Sequence, residues 1–195
     1  MMKFDAHIEK STISTLPTLV FPGRIIVIDT EADVDKAMKA LAKEKIVGID
    51  TETRPAFRKG VQHKVALLQI STSDTCFLIR LCRTGIPDSL TAFLENKNIL
   101  KAGVSLHDDY QSLARRRKFK AGGFFDLQKH VGEFGIEEMS LQKIYAIIFG
   151  EKISKNQQLT NWECDILTDK QKQYAATDAW ACLNIYNKLT QAKQL

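Results

Sequence analysis

The sequence predicts an α/β domain in which a mixed sheet of five to six strands is flanked by helices. Residues 46–52, 64–72 and 75–80 have the apolar composition of strands, and their short polar connections favour antiparallel pairing. Further strands then alternate with helical patterns, and the C-terminal third is helical throughout. This order is typical of a layered domain in which parallel strands follow an antiparallel set.

The other predicted strands are short. Residues 24–28 precede the antiparallel set, and residues 98–101 and 124–126 follow it. Residues 1–23 contain polar residues, two prolines and a glycine, which predicts an irregular N-terminal arm. Because the sequence shows no repeat or linker, residues 24–195 are expected to form a single domain.

Helices are predicted where apolar residues recur every three to four positions. The first covers residues 34–41, and Thr30 with Asp33 is a plausible capping pair at its start. The last runs from about residue 168 to residue 193. Between them, helices are expected at residues 88–95, 106–118 and 140–149.

The composition is that of a mildly basic protein, with 195 residues and a formal net charge of +5. Such a charge attracts phosphate backbones at modest salt, but the charge alone favours the simpler explanation, a lysine-rich soluble protein. No segment has the length of a signal peptide core or a membrane span. We therefore expect a cytoplasmic protein, or a nuclear one in a eukaryote, with no membrane partner.

Asp50 and Glu52 lie two residues apart near the end of an apolar strand, so both carboxylates are on the same face. Adjacent carboxylates in an apolar setting repel each other unless a cation lies between them. Mg²⁺ and Mn²⁺ prefer oxygen ligands, so a divalent cation is one explanation. A hydrated strand end, which needs no cation, is the other.

The chain contains an internal control for this motif. Residues 28–31 repeat the letters IDTE of residues 49–52. In the earlier copy Thr30 can cap a helix, and acids at a helix N-terminus are favourable. The later copy enters a connection between strands, where its charges have no capping role. Only the later copy is therefore assigned to chemistry.

Two further pairs carry acidic groups. Tyr174 and Asp178 are four residues apart, one helical turn, and are flanked by alanines. A core tyrosine beside a surface aspartate would give the same pattern. Asp108 and Asp109 lie in the first turn of a predicted helix, where capping explains at least one of them.

Together these residues resemble the DEDD superfamily of 3′–5′ exonucleases, which has the ribonuclease H-like fold. The resemblance spans about residues 47–186, and the chain is more similar to the exonuclease domain of the Werner syndrome protein than to ribonuclease D. The histidine subclass would need a histidine within five residues before Asp178, and none is there. With Tyr174 at that place, the chain resembles the tyrosine subclass, DEDDy. Four blocks carry the resemblance, in the order of the superfamily: GIDTE, KVALLQI, KAGV and YAATDA.

The resemblance implies the residues of the active site and their cofactor. The second-motif acid is Asp109 rather than Asp108, because its spacing from KAGV fits the superfamily better. Two divalent cations, Mg²⁺ or Mn²⁺, are implied, together with hydrolysis of the terminal phosphodiester bond to release nucleoside 5′-monophosphates. The implied catalytic residues are Asp50, Glu52, Asp109, Tyr174 and Asp178, and all but Tyr174 are implied metal ligands.

The implied substrate is the 3′ end of DNA or RNA, with DNA favoured by the closer resemblance. Basic residues beside the first motif are expected to contact phosphates, whereas the cluster at residues 115–120 is equally explained as a solvated face. Trp162 would either stack on a base or anchor the connection from within the core. The candidate substrate-binding residues are Thr51, Arg54, Lys64, Asn161 and Trp162.

Three alternatives remain open at this point: a nucleic-acid-binding module of the same fold with weak or no turnover, an RNA-processing exonuclease similar to ribonuclease D, and a nuclease that cuts internally. Relatives in the superfamily carry helicase or polymerase domains. A helicase, polymerase or repair partner acting in trans is therefore one expectation for processivity.

Overall fold

A computed structural model of the chain describes residues 3–194, and these contain a six-stranded mixed sheet with helices on both faces. Its strand order is β1-β4-β3-β2-β5-β6. The strands are β1 (Arg24–Ile28), β2 (Ile46–Thr53), β3 (Val65–Ser71), β4 (Thr75–Ile79), β5 (Leu100–Gly103) and β6 (Phe124–Asp126).

The pairing confirms the predicted fold class. Strand β3 lies between β2 and β4 and is antiparallel to both. Strand β1 adds to β4 in parallel, and β5 and β6 extend the other edge, each parallel to its neighbour. The antiparallel centre places Asp50 directly opposite Gln69, and Glu52 opposite Leu67.

Seven α-helices lie within the described residues, and none is long and apolar enough to cross a membrane. The last helix is by far the longest, and its 26 residues pack along the sheet. The helices are α1 (Lys10–Thr15), α2 (Glu31–Leu41), α3 (Leu81–Thr84), α4 (Asp88–Glu95), α5 (Leu106–Ala114), α6 (Leu141–Phe149) and α7 (Asp169–Gln194).

Some boundaries differ from the prediction. Helix α5 ends at Ala114 rather than at residue 118, and the amides of Arg116 and Arg117 both donate to the Leu113 carbonyl where it ends. The side chain of Arg116 donates to the Val65 carbonyl, and that of Arg117 to the Ile86 carbonyl. This use of the arginines favours a packing role for part of the basic cluster. Residues 127–134 form two short 3₁₀ turns instead of an α-helix, and α3 was not predicted.

The predicted irregular arm contains the short helix α1 and is bound to the rest of the protein. Helix α1 buries no side chain, so it lacks the apolar periodicity that would have predicted it. The Leu19 amide donates to the Lys152 carbonyl at 2.8 Å. Phe21 is buried against α7, where its amide donates to Thr177 Oγ1 and its carbonyl accepts from Gln173 Nε2.

Helix α7 lies directly on β2, and this contact positions the functional site. The helix presents the buried residues Ala175, Ala176 and Ala179 to the sheet. Gly48 of β2 has no side chain, and a Cβ atom there would overlap the Ala179 carbonyl oxygen. The small residues therefore allow an approach that any larger pair would prevent.

We predict that Gly48→Ala lowers the free energy of unfolding by about 1–3 kcal/mol, because the added methyl group must displace α7 from the strand. Urea unfolding measures the change. Gly132→Ala is the matched control, since a Cβ there meets no atom within 4 Å, and should change stability by less than about 0.5 kcal/mol. Equal effects of the two substitutions would contradict the role given to Gly48.

Candidate active site

Strand β2 supplies two carboxylates to the face that α7 covers. Asp50 is half-buried and Glu52 is buried, on the same side of the strand. The pairing of β2 with β3 shifts in register immediately after Glu52, which ends the regular strand beside the site. The two side chains therefore stand where the sheet opens into the connection with β3.

Helix α7 supplies the third carboxylate and a phenol. Asp178 is buried, and Tyr174 lies one turn before it. Carboxylate oxygens of Asp50, Glu52 and Asp178 all lie within 4.8 Å of one another, the separation expected for ligands of one cation. Oxygen donors alone make up this set, which suits a hard cation such as Mg²⁺ or Mn²⁺.

Asp109 adjoins this cluster through Thr51. Ser105, with a left-handed φ of 60°, turns the chain from β5 into α5, and Asp109 follows in the first turn of that helix. Thr51 Oγ1 donates to Asp109 Oδ1 at 2.5 Å. Asp108 is exposed and Asp109 is partly buried. The charge of Asp109 raises the pKa of Asp50, but Asp109 is not among the three acids whose oxygens lie within 4.8 Å of one another.

The acids strongly perturb one another. Burial, followed by the charges of Asp109, Asp178 and Glu52, holds the pKa of Asp50 well above its usual range. Burial and the charge of Asp178 raise the pKa of Glu52 to about 9. Without a cation, the folded protein therefore holds protons on acids that an unfolded chain would release.

The other three groups are shifted in the same direction. Burial raises the pKa of Asp178 to about 7, although a hydrogen bond with Tyr174 opposes the rise. Burial raises the pKa of Asp109 to about 6, against the hydrogen bond from Thr51. Burial and the nearby acids also hold the pKa of Tyr174 far above its usual value, so this phenol is a proton donor at neutral pH.

Three of the acids line a cleft of about 260 Å³. Some of the other residues that line it were not predicted from the sequence. Ser140 and Gln142 at the start of α6, and Lys155 and Gln158 in the segment before α7, join Asp50, Glu52, Tyr174 and Asp178 there. These four polar residues lie outside strands or at a helix start, where no periodicity marks them. Lys155 stands out only once the structure places this lysine at a cleft that is otherwise rich in carboxylates.

Of the predicted substrate-binding residues, only Thr51 lines this cleft; Arg54 and Asn161 line one separate concavity and Lys64 lines another. The Thr51 hydroxyl is bound to Asp109. Arg54 and Lys64 are exposed, and Arg54 Nη1 lies 3.3 Å from Glu163 Oε2, so its charge is partly neutralised. Asn161 is exposed, and its Oδ1 accepts from the Glu163 amide.

Trp162 does not fit the predicted contact with a base. Its side chain is completely buried, and its ring lies 6.0 Å from that of Tyr174. No face of the indole is free for stacking, so the substrate-binding role is wrong for Trp162. The alternative, a buried anchor for the segment that leads into α7, agrees with this position.

The earlier IDTE copy caps a helix, as predicted. Thr30 is the N-cap of α2, and its Oγ1 accepts from the Asp33 amide. Asp29 Oδ1 lies 3.5 Å from both Arg80 Nη1 and Arg83 Nε. Identical letters thus cap a helix in one place and form the acidic cluster in the other.

Comparison with known proteins gives the same result along almost the whole chain. A family model described as 3′–5′ exonuclease matches residues 25–193. The mouse bifunctional 3′–5′ exonuclease/ATP-dependent helicase WRN is 34% identical over 94% of this chain, which covers 14% of that protein. A 3′–5′ exonuclease from Arabidopsis thaliana is 32% identical over 89% of this chain, which covers 66% of that protein.

Solved structures are similar in fold at lower sequence identity. The Aedes aegypti Nibbler EXO domain has a TM-score of 0.78 at 21% identity, over 88% of this chain and 89% of that one. Escherichia coli RNase D has a TM-score of 0.78 at 20% identity, over 88% of this chain and 45% of that one. From the matched family model and the sequence relatives, the chain belongs to the 3′–5′ exonuclease family.

Proposed function

We propose that the chain hydrolyses the terminal phosphodiester bond at the 3′ end of a nucleic acid strand, with DNA favoured over RNA, and releases nucleoside 5′-monophosphates. The observation that carries this proposal is the meeting of Asp50, Glu52 and Asp178 within 4.8 Å, with Asp109 attached through Thr51. Two divalent cations, Mg²⁺ or Mn²⁺, are the proposed cofactor. Bound there, they would lower the pKa of water and neutralise charge on the phosphate.

The four acids would hold the cations, and Tyr174 would orient the attacking water. The raised pKa of Tyr174 keeps its hydroxyl protonated, so it donates a hydrogen bond and is a poor base. Lys155 and Gln158 line the same cleft as the acids, where an ammonium and an amide could contact the backbone of the strand.

An RNA substrate is the second candidate. The fold is similar to that of Escherichia coli RNase D, described as an exoribonuclease involved in structured RNA processing, and to Trypanosoma brucei RNase D in complex with RNA. We favour DNA because the chain has higher sequence identity to the WRN relative. That relative joins an exonuclease to a helicase, so we also propose a helicase, polymerase or repair partner in trans.

We expect a 5′-labelled oligonucleotide incubated with the protein and Mg²⁺ to give a ladder that shortens from the 3′ end, because the site holds a terminal phosphodiester. Single-stranded DNA, recessed duplex DNA and RNA compared side by side would rank the substrates. A circular single strand is the control. Its cleavage would identify an internally cutting nuclease, and binding without any ladder would identify a non-enzymatic module.

The residue roles predict an order of effects on kcat. Asp178→Asn should lower kcat by more than the roughly 10–100-fold typical of residues that only support a metal ligand. Tyr174→Phe should cost less than Asp50→Ala, because it removes one hydrogen bond and no ligand. Single-turnover digestion with saturating enzyme measures each effect.

The neighbouring aspartates offer a matched pair for this series. Asp109→Asn should reduce kcat strongly, whereas Asp108→Asn should change it little because Asp108 is exposed. Equal losses in these two variants, or in Tyr174→Phe and Asp50→Ala, would show that the roles are assigned wrongly.

The raised pKa values predict that metal stabilises the protein more at high pH. Because acids such as Glu52 (about 9) and Asp178 (about 7) keep protons in the fold, stability without metal should fall as pH rises from about 4 to 9. Mg²⁺ replaces those protons. The melting temperature measured with Mg²⁺ and with chelator should therefore differ more at about pH 8 than at about pH 5.

The double variant Asp50→Asn with Glu52→Gln is the control for this experiment, since it removes two of the shifted acids. Its melting temperature should depend less on pH and respond little to Mg²⁺. A metal-induced shift that is the same at both pH values and in the double variant would place the cation elsewhere.

A further inference from the structure

A second cleft, outside the acidic one, gathers apolar side chains that face solvent. Within residues 3–194, six large hydrophobic side chains are exposed, and three of them line this cleft of about 530 Å³. They are Phe57, Leu159 and Val61, with exposed fractions of 83%, 70% and 43%. Single exposed hydrophobic residues are ordinary, but three around one concavity indicate a binding surface.

Glu163 links the two walls of the cleft through contacts with Arg54 and His63. One wall is the connection between β2 and β3, residues 54–64, and the other is the segment ahead of α7. Glu163 Oε2 lies 3.3 Å from Arg54 Nη1 and 3.8 Å from His63 Nδ1. The connection also closes a turn on itself, since the Val61 amide donates to the Arg58 carbonyl at 3.2 Å. The exposed Phe57 ring is thus carried on a braced loop.

The charge of the cleft indicates what it binds. Its lining carries Arg58 beside the aromatic ring, together with Arg54, whose charge Glu163 partly offsets. Lys59 and Lys64 belong to the same connection and are exposed. An aromatic face next to cationic side chains is the combination that binds unpaired nucleic acid strands, because bases stack while phosphates pair with the cations. A partner protein with an apolar surface would match the hydrophobic side chains but not the exposed cations Arg58, Lys59 and Lys64.

The cleft is separate from the acidic site but close to it. The two clefts share no lining residue. Phe57 follows Glu52 by five residues, so the chain between them spans at most about 18 Å. A strand whose terminal phosphodiester lies at the acids can therefore reach Phe57 within a few nucleotides.

We propose that this cleft binds the unpaired bases upstream of the terminal nucleotide, with Phe57 stacking on a base and Arg58 contacting phosphate. This inference rests on the proposed function at the 3′ end of a strand. Since stacking on a side chain requires a base that is free of its own partner, the cleft selects single-stranded ends over closed duplex.

The test measures binding of a 5′-labelled single strand by fluorescence anisotropy, with chelator present to prevent cleavage. Phe57→Ala should weaken binding about tenfold, since stacking of a base on an aromatic side chain is of that order. Phe57→Trp should retain the affinity. Ile166→Ala is the matched control, because Ile166 is equally exposed at 83% and lies outside the cleft.

An oligonucleotide with abasic sites at the upstream positions identifies stacking as the cause. On that strand Phe57→Ala should lose its effect, because the wild-type protein has no base to stack on. Unchanged binding by Phe57→Ala, or an equal loss on normal and abasic strands, would overturn the inference. Thermal melts check that the variants are folded.

The two proposals fail in different ways. If the wild-type protein digests 3′ ends while Phe57→Ala binds normally, the exonuclease proposal stands and the second cleft does not. If binding depends on Phe57 and on upstream bases but no ladder forms with Mg²⁺ or Mn²⁺, the cleft stands and the proposed reaction is wrong.

Discussion

The close contact between α7 and β2 is the constraint on which the acidic site depends. Asp178 reaches Asp50 and Glu52 only because Gly48 and the alanines of α7 let two backbones approach each other. Burial raises the pKa values of all three carboxylates, and repulsion by the neighbouring acids adds to the rise for Asp50 and Glu52. The fold can sustain this repulsion because apolar contacts hold the helix against the sheet.

The sequence predicted the parts of the site that regular structure positions. Strand periodicity placed Asp50 and Glu52 on one face, and helical spacing placed Tyr174 one turn from Asp178. Selecting Asp109 over Asp108 depended on the family resemblance and stays a prediction; the structure adds only that Asp109 accepts a hydrogen bond from Thr51. The two IDTE copies could be told apart because one lies at a helix start and the other at a strand end. An acid is favourable at a helix start, whereas at the strand end it has no capping role.

Other features could not be predicted, for identifiable physical reasons. Lys155 and Gln158 lie in an irregular segment whose path is set by tertiary contacts, so no local pattern points them at the cleft. Trp162 was assigned both a surface role and a core role, and only its neighbours in space decide between them. The end of α5 was misplaced because the helix closes on the Leu113 carbonyl, which accepts from the amides of both Arg116 and Arg117, and no glycine or proline marks that point in the sequence.

Phe21 attaches the N-terminal segment to α7. Its two backbone hydrogen bonds go to Thr177 and Gln173, which are the immediate chain neighbours of Asp178 and Tyr174. Phe21, which precedes Arg24, therefore supports the helical turn that carries Tyr174 and Asp178, so the N-terminal segment is part of the fold around them. A shortened polypeptide that starts at β1 would keep the acids of the cluster. It would lose the hydrogen bonds through which Phe21 holds α7.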